Sequence, residues 1–255
     1  MFKNLLLSLL ISCSLGFILC EALSKEARSK GFVYLKQIDP SIITSLRYCT
    51  YENFIGRPIH GYRRPNALLT LQAAQALKKA QEEFKKDGYC LVVYDAYRPQ
   101  QAVNHFMRWS KDIKDQAKKA QYFPHVDKSH VFELGYVAEH SGHSRGSTVD
   151  VTLITKGAVP HKVIETKRTL QNGQTIKFLD DGTVDMGSSF DLFDKASHHK
   201  NNLIAEHHKK SRTYLRTVME KHGFKTIEEE WWHYTLKDEP YPAKEASSYF
   251  NFPVE

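Results

Sequence analysis

Three short segments of the chain hold residues that could do hydrolytic chemistry. The first, SGHSRGSTVD at residues 141–150, puts His143 in a Ser/Gly-rich loop and Asp150 on the strand pattern that follows. A neutral histidine nitrogen and an anionic aspartate oxygen are both zinc ligands. The spacing alone says little: with 13 histidines and aspartate at ~5% usage, about 0.7 such pairs arise by chance. Requiring a serine two before the histidine and a glycine three after it lowers that expectation to about 0.002, so the extended pattern carries the signal.

The second segment is Glu230-Trp231-Trp232-His233. A catalytic zinc wants three protein ligands, an open position for water and a nearby base. His233 suits the third ligand and Glu230 the base. In a straight strand, residues three apart point to opposite faces. This reading therefore needs a turn or bulge at Trp231-Trp232, with His233 starting or lying on a strand. By itself the segment reads equally well as two core tryptophans beside a satisfied histidine.

The third segment is YDAYRP, residues 94–99. Arg98 falls at the end of a buried strand just before a helix, where functional side chains are often mounted. Its guanidinium could face a developing oxyanion or a substrate carboxylate. The alternative is a structural pair with Asp95.

The elements that must position these residues can be read around them. Thr70 can cap a helix carrying Leu71, Ala74, Leu77, Gln81 and Phe84, ending at Asp87-Gly88. Cys90 to Tyr94 reads as a buried strand, and Pro99 opens a helix with Ala102, Val103 and Phe106 on one face. Val149, Val151 and Leu153 alternate with Asp150 and Thr152 in strand fashion. Asn172-Gly173 and Asp181-Gly182 are hairpin-type turns. A helix is expected over about 201–222, stopped by Gly223, and a last strand region over 226–236. Strands and helices mix without a βαβ rhythm, which makes the class α+β: a single domain over 23–255, with a small, mostly antiparallel sheet flanked by helices.

Outside these elements the sequence sets bounds. A formal net charge of +7 on 255 residues is a mild bias without a basic stripe, so nucleic-acid binding is not expected. Lys3 precedes an apolar run from Leu5 to Leu19; about 15 residues is short for a membrane span and suits a signal-peptide core. The expectation is a signal over 1–22, cleaved near Cys20 to Ala22, giving an exported, periplasmic protein with no stable membrane insertion afterwards. Rival readings are a lipoprotein signal ending at Cys13 and an uncleaved anchor. Export would leave Cys49 and Cys90, a candidate disulfide in an oxidising compartment or two free thiols.

Taken together, the chain resembles the D-alanyl-D-alanine dipeptidases of the vancomycin-resistance (VanX) type, within a zinc peptidase superfamily that also holds D,D-carboxypeptidases and the hedgehog signalling domain. The likeness runs in order through LRYCTYENF (46–54), Gly61-Tyr62, DAYRP (95–99), GYVA (135–138), residues 141–150, MGSSFD (186–191), Ser197-His198-His199, EWWHY (230–234) and DEPYP (238–242). It implies one zinc per chain on His143, Asp150 and His233, with Glu230 as general base and Arg98 stabilising the tetrahedral intermediate. It also implies that Ser141, Tyr48 and Asp191 hold a small D,D-dipeptide. The implied reaction is hydrolysis of D-Ala-D-Ala to two D-alanines, in cell-wall turnover or scavenging. The alternatives are a peptidoglycan D,D- or L,D-carboxypeptidase and a non-catalytic zinc-bearing wall-binding protein.

There are departures. Thr148 stands where the family usually has alanine, a change expected to be tolerated. The stretch between Asp150 and Met186 is longer than the resemblance implies. A hairpin insertion at about 155–184 is therefore expected, either overhanging the site or decorating the surface. Among the other histidines, His207 and His208 are expected on a solvated helix face and His198 and His199 in structural roles. His140 is a rival ligand. The oligomeric state is open.

Overall fold

Leu91, Val92, Val93, Val149, Val151 and Leu153 are all at most 1% exposed, so the two strands that carry them run through the middle of the molecule. The computed structural model describes residues 23–255; the expected signal over 1–22 lies outside the described residues. In chain order the elements are α1 (Lys25–Ser29), β1 (Phe32–Tyr34), α2 (Leu35–Ile38), β2 (Ile43–Thr44), β3 (Leu68–Thr70), α3 (Leu71–Lys86), β4 (Tyr89–Asp95), α4 (Gln100–Lys111) and α5 (Lys119–Tyr122). They continue with β5 (Thr148–Thr155), β6 (Ile164–Thr169), β7 (Thr175–Asp180), α6 (Glu206–Lys221), β8 (Phe224–Thr226) and β9 (His233–Leu236).

The main sheet has the order β2-β4-β5-β9-β8. Only β2 and β4 pair in parallel; the other three pairings are antiparallel. This is the α+β class read from the sequence. Two-stranded pairs β1-β3 and β6-β7 complete the strand content of the described residues.

Local chemistry explains the boundaries. Thr70 caps α3, its hydroxyl accepting from the Ala73 amide, and the helix buries Ala73, Ala74, Leu77, Ala80 and Phe84 before it ends at Asp87. Gly88 follows at φ 83°, the left-handed conformation that turns the chain back into β4. Pro99 starts α4 as read. The helix α6 begins later than expected. The Asn201 side chain accepts from the Leu203 amide and donates to the His198 carbonyl, a local turn that competes with helix. Its inward face is His208, Arg212, Leu215 and Met219, which follows the helical period. His208 is thus buried, its Nε2 3.4 Å from Asp185 Oδ1, and not on the solvated face as expected; His207 is exposed.

Cys49 and Cys90 are free. Of the two readings left open, the free thiols hold: Cys90 is packed at the start of β4, and the Cys49 thiol donates to the Arg64 carbonyl at 3.4 Å. Burial pushes the Cys49 thiol up to about 12, so it stays protonated.

Candidate metal centre

The pairing register builds the site. Asp95 on β4 lies opposite Asp150 on β5, and Asp150 lies opposite His233 on β9, so three neighbouring strands set these residues in one transverse row. A bulge between Val93 and Asp95 makes the first match, re-aiming the strand end as bulges do. The expected break at Trp231-Trp232 is there: both are turn residues and β9 starts at His233. The tryptophans are also core, with Trp231 Nε1 donating to Ser188 Oγ at 3.1 Å and Trp232 packed against Phe190.

His143 comes from the short 3-10 turn Gly142–Arg145, capped by Ser141 Oγ, which accepts from the His143 amide at 3.3 Å. Gly146 ends the turn at φ 79°, and a Cβ there would lie 2.2 Å from the Phe32 ring, so no larger residue fits. The turn is tied to the third segment, because the His143 carbonyl accepts from the Arg98 amide at 3.3 Å.

Three donor atoms converge. His143 Nε2 is 3.2 Å from Asp150 Oδ1, His233 Nδ1 is 3.3 Å from the same oxygen, and the two nitrogens are 3.4 Å apart. Zinc bonded at roughly 2.0–2.1 Å in tetrahedral geometry separates its ligands by about 3.3–3.4 Å, so the triangle fits the ion. His143 Nδ1 donates to the Ala96 carbonyl at 2.7 Å. That leaves the Nε2 lone pair facing the other donors, the tautomer that a metal ligand needs. Asp150 Oδ1 is buried and has no hydrogen-bond donor, a costly arrangement for a lone carboxylate and a sound one for a ligand. His143, Asp150 and His233 are the metal-type cluster found among the described residues. His140 is not in it and packs against the Tyr249 ring.

The charges around the triangle are tuned. Burial opposes ionisation of Asp150, but His143 and His233 outweigh it and hold the carboxyl below the usual range. Burial lowers His143, keeping it neutral. Glu230 Oε2 lies 3.4 Å from His233 Nδ1, and burial pushes this carboxyl up to about 7, where a general base works best at neutral pH.

Arg98 is clamped. Its Nε donates to Asp95 Oδ2 at 2.9 Å, its guanidinium lies 5.0 Å from the Tyr48 ring and 5.1 Å from Phe106, and Nη2 reaches Asp150 Oδ2 at 3.5 Å. The structural Asp95 pair and the functional position therefore coexist. Asp95 also accepts from the Tyr62 hydroxyl at 2.6 Å and lies 3.4 Å from His143 Nδ1. It is a positioning residue for both Arg98 and His143; the sequence reading held the Arg98 pair as an alternative and missed the His143 contact. Its signal in the sequence was its place at the end of the β4 pattern, three residues before Arg98.

Asp191 stands apart in its backbone. At φ 60° it is the non-glycine residue with positive φ among the described residues, a strained conformation that clusters at functional sites. It accepts from the Tyr48 hydroxyl at 2.9 Å. Burial, then Asp150, raises its carboxyl well above the usual range, so a cation placed beside it would be strongly favoured.

All eight expected site residues, Tyr48, Arg98, Ser141, His143, Asp150, Asp191, Glu230 and His233, line one cavity of about 200 Å³. That is below the roughly 300–1,000 Å³ of drug-sized sites. Tyr136 and Val137, from the 135–138 segment of the resemblance, add walls to which the sequence reading gave no role, and Ile227 adds one it did not name. No residue of 155–184 lines the cavity. The β6-β7 hairpin instead buries Leu170 and Ile176 against Leu192, Ala196 and Ile204. His199 ties down the loop leading to Glu230: its amide donates to the Glu228 carbonyl at 2.8 Å and its Nε2 meets Thr226 Oγ1 at 2.9 Å. Thr148 is accommodated by a 2.9 Å hydroxyl pair with Thr235, its partner across β5-β9.

These features match a known group. Residues 28–161 and 166–255 match the Peptidase_M15 family, described as D-ala-D-ala dipeptidase, and the chain belongs to that family of metallopeptidases. Among individual proteins, it is 38% identical over 225 residues to a D-alanyl-D-alanine dipeptidase of Enterococcus faecium, covering 88% of this chain and 98% of that one. A Streptomyces coelicolor D-alanyl-D-alanine dipeptidase is 36% identical, with the same coverage of both chains. An Escherichia coli D-alanyl-D-alanine dipeptidase is 30% identical over 80% of this chain and 83% of its own.

Proposed function

We propose that the protein is a zinc-dependent dipeptidase that hydrolyses D-Ala-D-Ala to two D-alanines, with one zinc per chain on His143, Asp150 and His233. The observation that carries this reading is the shared small cavity, which joins a zinc-sized donor triangle, a carboxyl poised near neutrality and a buried, strained aspartate. When bound, the zinc supplies Lewis-acid polarisation of a carbonyl and a water. Glu230 accepts the proton of the attacking water and delivers it to the leaving amine. Arg98, fixed by Asp95 and by two aromatic faces, offers a preorganised positive charge to the developing oxyanion. Asp191 pairs with the free ammonium of the dipeptide. A capped or longer peptide lacks that ammonium and leaves Asp191 buried without a counter-charge. Ser141 and Tyr48 complete the binding wall.

The apolar run from Leu5 to Leu19 supports export to a periplasm, and hence turnover or scavenging of dipeptide released from the wall. The test pairs D-Ala-D-Ala with an N-capped tripeptide ending in D-Ala-D-Ala, in competition on the zinc-loaded protein. Cleavage of the dipeptide alone is expected. Comparable cleavage of the capped peptide would make the protein a carboxypeptidase. Fractionation of expressing cells tests location, and mature protein retained in the cytoplasm would end the turnover role.

A further inference from the structure

Away from the metal cavity, a recess of about 340 Å³ lies between α6 and the 199–200 segment. It is lined by Lys200, Lys209, Arg212 and Arg216, with the Thr217 hydroxyl beside them and Glu220 as its carboxylate. It shares no lining residue with the metal cavity. Four cations thus line it with one acid, which is engaged at 2.7 Å by Arg216; a second carboxylate, Glu228, adjoins the rim and accepts from the Lys200 amide. The nearest acid to Lys209 is the exposed Glu206 at 3.7 Å.

Arg212 gives the recess its character. It is 2% exposed, and its guanidinium donates to the carbonyls of Met186, Ala196 and His198 and to Ser188 Oγ. All four acceptors are neutral, and the carboxylate that acts on Arg212 from further off, Asp185, is already paired with Arg168. Burying a charge without an opposite one is costly, and the cost falls if an anion settles nearby. His199 reports the same field: burial, then Arg216 and Arg212, push its imidazole down to about 4.

We infer that this recess binds a small phosphate-type oxyanion, held by Lys200, Lys209 and Arg216 over the buried Arg212 guanidinium. Charge-assisted hydrogen bonds from arginine and lysine are the strong ones for such groups. The anion would sit against the His199 segment, whose backbone holds Glu228. The site is separate from the zinc chemistry, and its failure would leave the dipeptidase reading intact.

The test uses the zinc-loaded full chain and inorganic phosphate, followed by NMR of the His199 ring, with His199→Gln assigning the signal. Phosphate should saturate and raise the His199 pKa by about one unit, as a nearby opposite charge does. The double variant Lys200→Ala/Arg216→Ala should weaken binding at least tenfold (roughly 1.4 kcal/mol) while leaving D-Ala-D-Ala turnover unchanged. Lys209→Glu is a second, independently folding check with the same expected loss. Phosphatidylglycerol vesicles separate the sources of the phosphate: capture that the double variant loses assigns it to a lipid headgroup, and no capture assigns a free anion. The inference is overturned if phosphate leaves His199 unmoved, or if its effect survives in both variants.

Discussion

The metal cavity and the β6-β7 hairpin follow opposite rules. The hairpin obeys local ones: two strands in register from Ile164↔Asp180 to Thr169↔Thr175, a turn at Asn172-Gly173, and charges paired outward, as in Lys177 with Glu165 at 2.6 Å. The cavity breaks them. Asp150 Oδ1 is buried without a donor, Asp191 is held at φ 60°, and burial lifts Glu230 to about 7. Such violations persist only where the surrounding fold enforces them and something is gained. The difference teaches that substitutions in the cavity should cost chemistry, and those in the hairpin only stability.

Glu230→Gln gives the largest expected effect. Turnover should fall by roughly 10³-fold, the worth of a general base, while metal analysis still finds zinc on the protein. Arg98→Lys should follow, with kcat down by about 10²-fold, because an ammonium cannot keep both the Asp95 bond and the stacking on Tyr48 and Phe106. Asp191→Asn keeps a residue type that tolerates left-handed backbone but removes the counter-charge, so KM for the dipeptide should rise roughly tenfold. An unchanged KM would detach Asp191 from the ammonium. Ile176→Ala, in the hairpin's 2%-exposed contact, should cost about 2–5 kcal/mol of stability in urea and leave kcat/KM untouched. A loss of turnover at equal folded fraction would break the comparison.

The smallest effect is a pH dependence of stability set outside the cavity. Burial lowers both His105 and His199 from the ordinary 6.5 to about 4. The unfolded chain therefore binds protons that the fold refuses between those values. This contribution to stability is complete above about pH 6.5 and is lost as pH falls toward 4. Urea midpoints across that window should drop with acid, and His199→Gln should flatten the slope.

Much of this was legible beforehand, because the residues doing chemistry break local patterns in fixed spacings. The 141–150 stretch and the Glu230–His233 segment named the three residues whose donor atoms the fold brings together, and the strand rule demanded the turn at Trp231-Trp232 that the fold contains. Thr70 and Pro99 marked helix starts through their own backbone chemistry. What escaped depends on contacts distant in sequence. The contact of Asp95 with His143 follows from a bulge and a cross-strand register, neither of which periodicity reveals. His208 looked solvated beside His207, and only the packed face of α6 separates them. Cys49 and Cys90 are an even pair, yet pairing requires an approach that the fold does not provide. The placement of the hairpin away from the cavity was likewise set by Leu170 and Ile176 finding a small apolar cluster of their own.

Metal reconstitution tests the central claim most directly. The chain is stripped with a chelator, then titrated with zinc while D-Ala-D-Ala hydrolysis is followed. Activity should be absent without metal and should rise in proportion to zinc until one ion per chain is bound. In His143→Ala, the same titration should restore nothing. Full hydrolysis by the stripped protein, or normal reconstitution of His143→Ala, would contradict the assignment of the centre.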